Sequence, residues 1–415
     1  MNTRRVRIMT MTAFSPRSRT RRAVLATAAG AVLAMPAACE LTDAQAPEDG
    51  GAAAARPPDG NGAAGGGAGA EHGSGARGRP GVPMLTVAAT GDFLLHDVLV
   101  QQAAEDRRSQ GRRGYDLMPM LAGIKPVIGA ADLGICHVET PLGRREGPFS
   151  GYPAFNSPPQ IVDAVAGLGY DTCSTASNHT VDQGEPGVRR TLAALDAAGV
   201  RHAGSARTAE EARRINLLDV KGVKVAHLSY TQDTNGIPPP APWSVNAGLS
   251  APRILADAAR AKAAGARLVV LSLHWGEEYR HEPTAAQRAL ARTLLASEDV
   301  DLIVGCHVHV VQPFERINGK WVAYGMGNQV ANPSANDAAT HEGVIARFTF
   351  TRGPSGWTAA PAFTPTVVVP GPPIRLHALG PGSDHQAAIA RTSGYVRSLG
   401  ANVPLAPDAN PSTVR

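Results

Sequence analysis

Between residues 92 and 309 the chain places seven side chains that suit a metal-dependent hydrolase. They are Asp92 in Thr90-Gly91-Asp92, Glu139 in His137-Val138-Glu139, the pair Asn178-His179, His274 in His274-Trp275-Gly276, and His307 and His309 in Gly305-Cys306-His307-Val308-His309. Carboxylate oxygens with neutral imidazoles form the ligand set of Zn, Mn or Fe ions that activate water. His-x-His is the most specific local signal, because in an extended segment alternate residues face the same way and both rings converge. The same period puts His137 and Glu139 on one side of a strand. Asn178 offers a weak neutral ligand, and an imidazole beside it, His179, is a side chain suited to act as a general acid toward a leaving-group oxygen.

Each piece alone has a plainer explanation. A Gly-Asp is usually a turn, a histidine ending an apolar strand is usually a core residue, and Asn-His before a helix is often a cap. What raises them together is placement. The pattern alternates strands, at 85–90, 133–138, 170–175, 215–220, 223–230, 268–273 and 302–305, with helices at 116–124 (ended by Pro126), 158–168, 184–198, 251–264 and 283–296. A hairpin turning at Asn318-Gly319 joins 310–317 to 321–325, and a strand follows at 344–351. Alternating β and α units predict an α/β domain with added antiparallel strands. In open α/β sheets ligands gather beyond the carboxyl ends of strands, and the seven residues fall there. His96 and Asp97 lie just past Asp92, and Asn328 ends the hairpin, where they can support a pocket.

The ends of the chain differ from this core. An arginine-rich start leads into an Ala/Val/Leu run over 23–38, too short for a stable transmembrane helix and suited to a signal peptide. Thr20-Arg21-Arg22-Ala23-Val24-Leu25 resembles a twin-arginine export signal. Ala37-Ala38-Cys39 resembles a lipobox, which makes Cys39 the lipidated first residue of the mature protein, with Pro36 an atypical neighbour. These features predict export and anchoring to the outer face of the cell membrane, ordinary secretion being the alternative. Residues 40–83, rich in Gly, Ala and Pro, read as a flexible tether, residues 84–335 as the main domain, 336–370 as its closing strands and 371–415 as a proline-rich tail with one short helix. The net charge of +5 owes much to the export segment, so no nucleic-acid partner is inferred. With Cys39 lipidated, Cys136, Cys173 and Cys306 remain; at least one is unpaired, and the count argues against a disulfide framework.

Taken in order, the motifs resemble the CapA family of bacterial capsule and poly-γ-glutamate synthesis proteins, relatives of calcineurin-like metallophosphoesterases. The matching stretches run from Ala89-Thr90-Gly91-Asp92-Phe93-Leu94 through Cys136-His137-Val138-Glu139-Thr140-Pro141-Leu142 and Ser177-Asn178-His179-Thr180-Val181-Asp182-Gln183-Gly184. They continue with Leu273-His274-Trp275-Gly276-Glu277-Glu278-Tyr279, Val304-Gly305-Cys306-His307-Val308-His309-Val310 and Tyr324-Gly325-Met326-Gly327-Asn328. The resemblance implies a metallophosphatase-like αββα sandwich of mixed sheets. It implies one or two divalent ions (Mn, Zn or Fe) on Asp92, Glu139, Asn178, His274, His307 and His309, with His179 as the acid. His137, His96 and Asn328 are candidates for a further ligand or for groups that orient the ligands.

Three departures stand out. His137 occupies a position where such families usually carry Asn, and Cys306 one where they often carry His; Cys306 reads as a buried spacer. Leu94 stands where the Asp-x-His of calcineurin-like sites has its histidine, which leaves a mononuclear site open. The resemblance implies an anchored protein of capsule or poly-γ-glutamate synthesis or export. Its expected partners are capsule-synthesis membrane proteins and a polymer or phosphorylated precursor. In that reading metal-activated water attacks while His179 protonates the leaving group. The alternative is a non-catalytic accessory subunit whose metal site is structural or vestigial.

Overall fold

The first strand of the main domain, Met84–Phe93 (β1), buries both faces: Leu85, Val87 and Ala89 enter one apolar layer and Ala88 and Phe93 another. A strand buried on both faces needs cover on both sides. The structure, a computed structural model, describes residues 84–332 and 337–407. The predicted export segment, Cys39 and the tether lie outside the described residues. Among the described residues no helix is long and apolar enough to cross a membrane.

The other strands are β2 (Leu133–Val138), β3 (Thr172–Ser174), β4 (Arg201–Ala203), β5 (Leu217–Val220), β6 (Val223–Thr231) and β7 (Leu268–His274). They continue with β8 (Leu302–Cys306), β9 (Phe314–Ile317), β10 (Lys320–Ala323), β11 (Asn328–Val330), β12 (Glu342–Gly353), β13 (Gly356–Val369) and β14 (Arg375–Ala378). The first sheet has the order β14-β13-β12-β1-β2-β3-β4, with β11 also on β1; the second has the order β5-β6-β7-β8-β10-β9. Both are mixed: β1 to β4 run parallel and β12 to β14 antiparallel, while β6, β7, β8 and β10 run parallel between antiparallel edges.

Between the sheets lies a layer that includes Val87, Ile135, Val270, Val304, Phe314 and Phe348. Outside the first sheet pack helices α1 (Asp97–Ser109), α2 (Met118–Leu121), α3 (Lys125–Gly129), α4 (Gln160–Leu168) and α5 (Gly184–Ala197). After the short α6 (Ala209–Arg213), α7 (Ala251–Ala263) and α8 (Ala285–Ala296) cover the second sheet. The result is the expected αββα sandwich. A last helix, α9 (Gln386–Arg397), contributes Val396 to the layer between the sheets.

Several expectations need correction. The segment after β1 forms α1, which periodicity missed because half of its buried face is polar: Gln102 and Asp106 are buried with Leu99 and Ala103. Their partners come from the far end of the chain, Ile374 donating its N–H to Gln102 at 3.0 Å and Arg375 pairing with Asp106. The single helix expected over 116–124 is two short ones, and Pro126 sits in the first turn of the second, where its missing N–H costs nothing. Cys136 and Cys173 are direct register partners on β2 and β3, with Cα atoms 4.4 Å apart, and they form a disulfide. A count of cysteines records parity, not register. Cys306 is free and buried.

A polar tie crosses the sandwich at His227 on β6. Thr172 on β3 accepts from Asn216 at 2.9 Å, its hydroxyl lies 3.0 Å from His227 Nδ1, and His227 Nε2 lies 2.9 Å from Ser272 Oγ on β7. Burial pushes this histidine down to about 3, with a smaller contribution from His137. The native ring therefore stays neutral where the unfolded one takes a proton. The sign follows: its contribution to stability is present above about pH 6.5 and shrinks as pH falls toward about 3, by up to roughly 1.4 kcal/mol per pH unit. Urea midpoints measured from pH 7 to pH 4 should fall less steeply for His227→Asn than for the parent. Equal slopes would refute this assignment.

Candidate functional site

The ends of β1, β2, β7 and β8 meet at one edge of the sandwich. Asp92 pairs in register with His137 on one side and Asn328 on the other. The β1–β2 register shifts between Ala89 and Asp92, as a bulge that re-aims a side chain does. Gly91 is required there, since a Cβ would lie 1.8 Å from the Gly327 carbonyl oxygen. The close approach this glycine permits is to backbone. On the second sheet His274 and Cys306 are register partners at the ends of β7 and β8.

The two sheets are joined through Asp92, whose carboxylate accepts the His307 N–H at 3.3 Å. His307 and His309 lie past the strand with φ of 94° and 58°. The His-x-His pair therefore does not sit in extended backbone. Its rings converge through two left-handed residues, at a steric cost of order 1–3 kcal/mol each.

All six expected ligands are buried, with Asp92 and Glu139 fully so. His309 Nδ1 lies 2.9 Å from Asn328 Oδ1 and 3.4 Å from Asp92 Oδ2, and its Nε2 lies 3.8 Å from Glu139 Oε1. Asn328 donates to the Thr340 carbonyl, which turns its own oxygen toward His309. His274 Nε2 is 2.8 Å from Asn178 Oδ1. If that nitrogen donates, His274 Nδ1 keeps a bare lone pair. His307 Nε2 accepts from the Gln232 amide at 3.0 Å. His137 Nε2 faces Asp92 Oδ1 at 3.7 Å.

His179 follows Asn178 in the chain. Its Nδ1 is 2.7 Å from Asp182 Oδ2, and its ring meets Phe155 edge-on. His96, half-buried, lies against the same Phe155 and accepts the Asn332 N–H, so it supports the pocket wall.

Sequence reasoning passed over Asp182, Gln232 and Ser174, the partners of His179, His307 and His137. Only Asp182 had a local signal, three residues after His179. Cys306 is buried, as its reading as a spacer requires, but its sulfur also groups with Asp92 and His137, their ligand atoms within 4.8 Å of one another. A second group, Asp92, Glu139 and His309, satisfies the same spacing. Asp92 belongs to both.

Whether a cation suits these residues can be judged from the atoms they leave without partners. Among the buried side-chain atoms lacking any hydrogen bond are both oxygens of Glu139, His137 Nε2, His274 Nδ1 and His307 Nδ1. Unpaired polar atoms in an interior are costly, and so many in one place are a site prepared for charge. The electrostatics agree. Burial raises the Glu139 carboxyl well above its usual range, against the opposing pull of His309. Burial also pushes the Asp92 carboxyl up, but the hydrogen bond and charge of His309 outweigh it and leave it lowered.

Burial pulls His309 down as well, yet Glu139 and Asp92 raise it to about 10. Burial holds His137 near 4 and His274 well below its ordinary value, so both are neutral donors of lone pairs. The residues present fit a divalent cation.

A family model described as bacterial capsule synthesis protein PGA_cap matches residues 86–333. The capsule biosynthesis protein CapA of Bacillus anthracis is 32% identical over 176 residues, 41% of this chain and 42% of that protein. The PGA biosynthesis protein CapA of Bacillus subtilis (strain 168) is 31% identical over 173 residues, 41% of this chain and 45% of that one. The match thus spans less than half the length of either relative. A solved calcineurin-like phosphoesterase, YfkN from Bacillus subtilis, is 14% identical with a TM-score of 0.41, covering 76% of this chain and 99% of that one.

A site built for charge should weaken the protein when it is bare. In chelator-stripped protein, Glu139→Gln should leave the urea midpoint equal or higher, against the loss of about 1 kcal/mol usual for point changes. A clear fall in midpoint would count against the reading of Glu139 as an uncompensated charge.

Proposed function

The chain belongs to the bacterial capsule synthesis protein PGA_cap family, and we propose that it is an exported, membrane-anchored member acting in capsule or poly-γ-glutamate synthesis or export through a metal-dependent hydrolase-type site. The observation that carries the catalytic part is the cluster of buried ligand atoms from Asp92, Glu139 and His309, all within 4.8 Å of one another, with both Glu139 oxygens lacking a hydrogen-bond partner. The Cys136–Cys173 disulfide supports export, since such bonds persist in oxidising compartments. Lipidation at Cys39 supplies the anchor in this reading.

Asp92, Glu139, His274 and His309 would hold the cation, with the Asn178 oxygen completing the set, while His307, whose Nε2 accepts from Gln232, keeps its ring proton on Nδ1 beside it. A divalent ion bound there supplies Lewis-acid activation of water. The protein's own part is proton delivery and orientation. His179 presents a proton to the leaving-group oxygen, with Asp182 at Nδ1 fixing its ring and tautomer. Asn178, Gln232 and Asn328 each hold one imidazole in place. Tyr279, 60% exposed with its ring centroid 5.9 Å from that of His309, gives the mouth an aromatic lip suited to the chain of a polymer or its phosphorylated precursor.

The test combines metal analysis of the purified full chain with hydrolysis of an aryl phosphate and of a γ-glutamyl oligomer. Bound divalent metal is expected, with turnover falling by about 10²–10⁴-fold in His179→Ala while metal content stays constant. Stoichiometric metal without turnover on either substrate would replace the enzyme with a non-catalytic accessory subunit. A metal-free protein after cation loading would overturn the site itself.

A further inference from the structure

The free thiol of Cys306 belongs to a donor set of its own. Cys306 ends β8, 2% exposed, and its carbonyl accepts the Trp275 N–H at 3.2 Å. With Cys136 and Cys173 joined, it is the free cysteine among the described residues. Its sulfur sits with a nitrogen of His137 and an oxygen of Asp92, all within 4.8 Å of one another.

The tautomer of His137 is fixed from behind. Ser174 Oγ donates to the Cys136 carbonyl at 3.2 Å, so it accepts at 2.7 Å from the Nδ1–H of His137. Nε2 is then a bare lone pair, buried and without a partner, 3.7 Å from Asp92 Oδ1. Two lone-pair atoms facing each other in an interior repel unless a positive charge lies between them. The other oxygen, Asp92 Oδ2, is turned to His309, 3.4 Å away. One carboxylate thus serves two groups of ligand atoms.

We propose that Asp92, His137 and Cys306 form a second cation position beside the Asp92–Glu139–His309 position, and that its thiolate–imidazole–carboxylate donors select Zn²⁺ or Fe²⁺ over Mg²⁺, Mn²⁺ and Ca²⁺. The inference rests on the cation-binding reading above and adds a ligand and a selectivity to it. On binding, the Cys306 S–H proton leaves to solvent as the sulfur lone pair forms the metal bond, with no change of oxidation state. His137 needs no proton loss, because Ser174 already holds its N–H on the far side.

Cobalt titration of the chelator-stripped full chain tests this, since Co²⁺ reports its ligands by absorption. The parent should bind two Co²⁺ and show a near-ultraviolet sulfur-to-cobalt charge-transfer band. Cys306→Ser should lose that band and one ion while keeping the visible d–d absorption of the other position. His137→Asn should retain the band but require about tenfold more cobalt to reach it. In competition, Zn²⁺ should abolish the band and Mg²⁺ should not.

Visible d–d bands in the parent without a charge-transfer band would overturn the thiolate position and leave the cation site standing. A band that persists in Cys306→Ser would also overturn it, by placing the thiolate elsewhere. A chain that binds no cobalt at all would sink both readings. Should Cys306→Ser fail to fold, the parent spectrum and the His137→Asn titration decide the matter.

Discussion

Two carboxylates with no exposure to solvent, Asp92 and Glu139, face imidazole nitrogens rather than cations of the protein's own. An isolated buried charge is among the costliest features an interior can hold, and proteins normally neutralise it by pairing or by protonation. Among the described residues no Arg or Lys side chain forms an ion pair with either carboxylate. His309 answers part of the demand by holding its proton to about 10. The pocket thus suits more positive charge than His309 alone carries. His137 and His274, neutral and lone-pair bearing, cannot supply it.

The sandwich makes such a pocket affordable by anchoring it on strand ends. Asp92 and His137 leave one sheet, His274 and Cys306 leave the other, and each is a register partner of its neighbour. Backbone contact closes the gap: Asp92 donates its N–H to Gly327 at 3.2 Å, and a Cβ at Gly305 would meet the Tyr324 carbonyl oxygen at 1.8 Å. The left-handed conformations of His307 and His309 sit in the same place, as strain at functional sites does. Apolar layers on both faces of both sheets offset these local costs.

How much of this was legible in the sequence depended on whether the signal was local. Strands such as 133–138 and helices such as 251–264 were readable because their apolar runs and stripes are contained within them. The turn at Asn318-Gly319 was readable because both residues take positive φ, 51° and 81°. Six candidate ligands and a candidate acid could be named because they lie at or just past strand ends, where α/β sheets gather ligands. Helix α1 was not readable, since Gln102 and Asp106 become good core residues only when Ile374 and Arg375 arrive from the other end of the chain. The disulfide and the place of Cys306 failed for the same reason. Both depend on register between strands, which no spacing in one segment encodes.

The partners behind the histidines, of which Asn328 was named from the sequence, are also the ones that decide what each histidine can do. An imidazole is a ligand, a base or an acid according to which nitrogen carries the proton, and the nitrogen facing away from the pocket sets that. Ser174 behind His137 directs a lone pair at Asp92, Asn328 behind His309 leaves Nε2 toward Glu139, and Asp182 holds Nδ1 of His179. Replace any of these by an apolar residue and the ring can remain in place with its other tautomer, keeping its position and losing its role. Chemistry at this site therefore depends on hydrogen bonds one layer outside the residues that would touch a cation, and those bonds come from β3, from β11 and from the turn before α5.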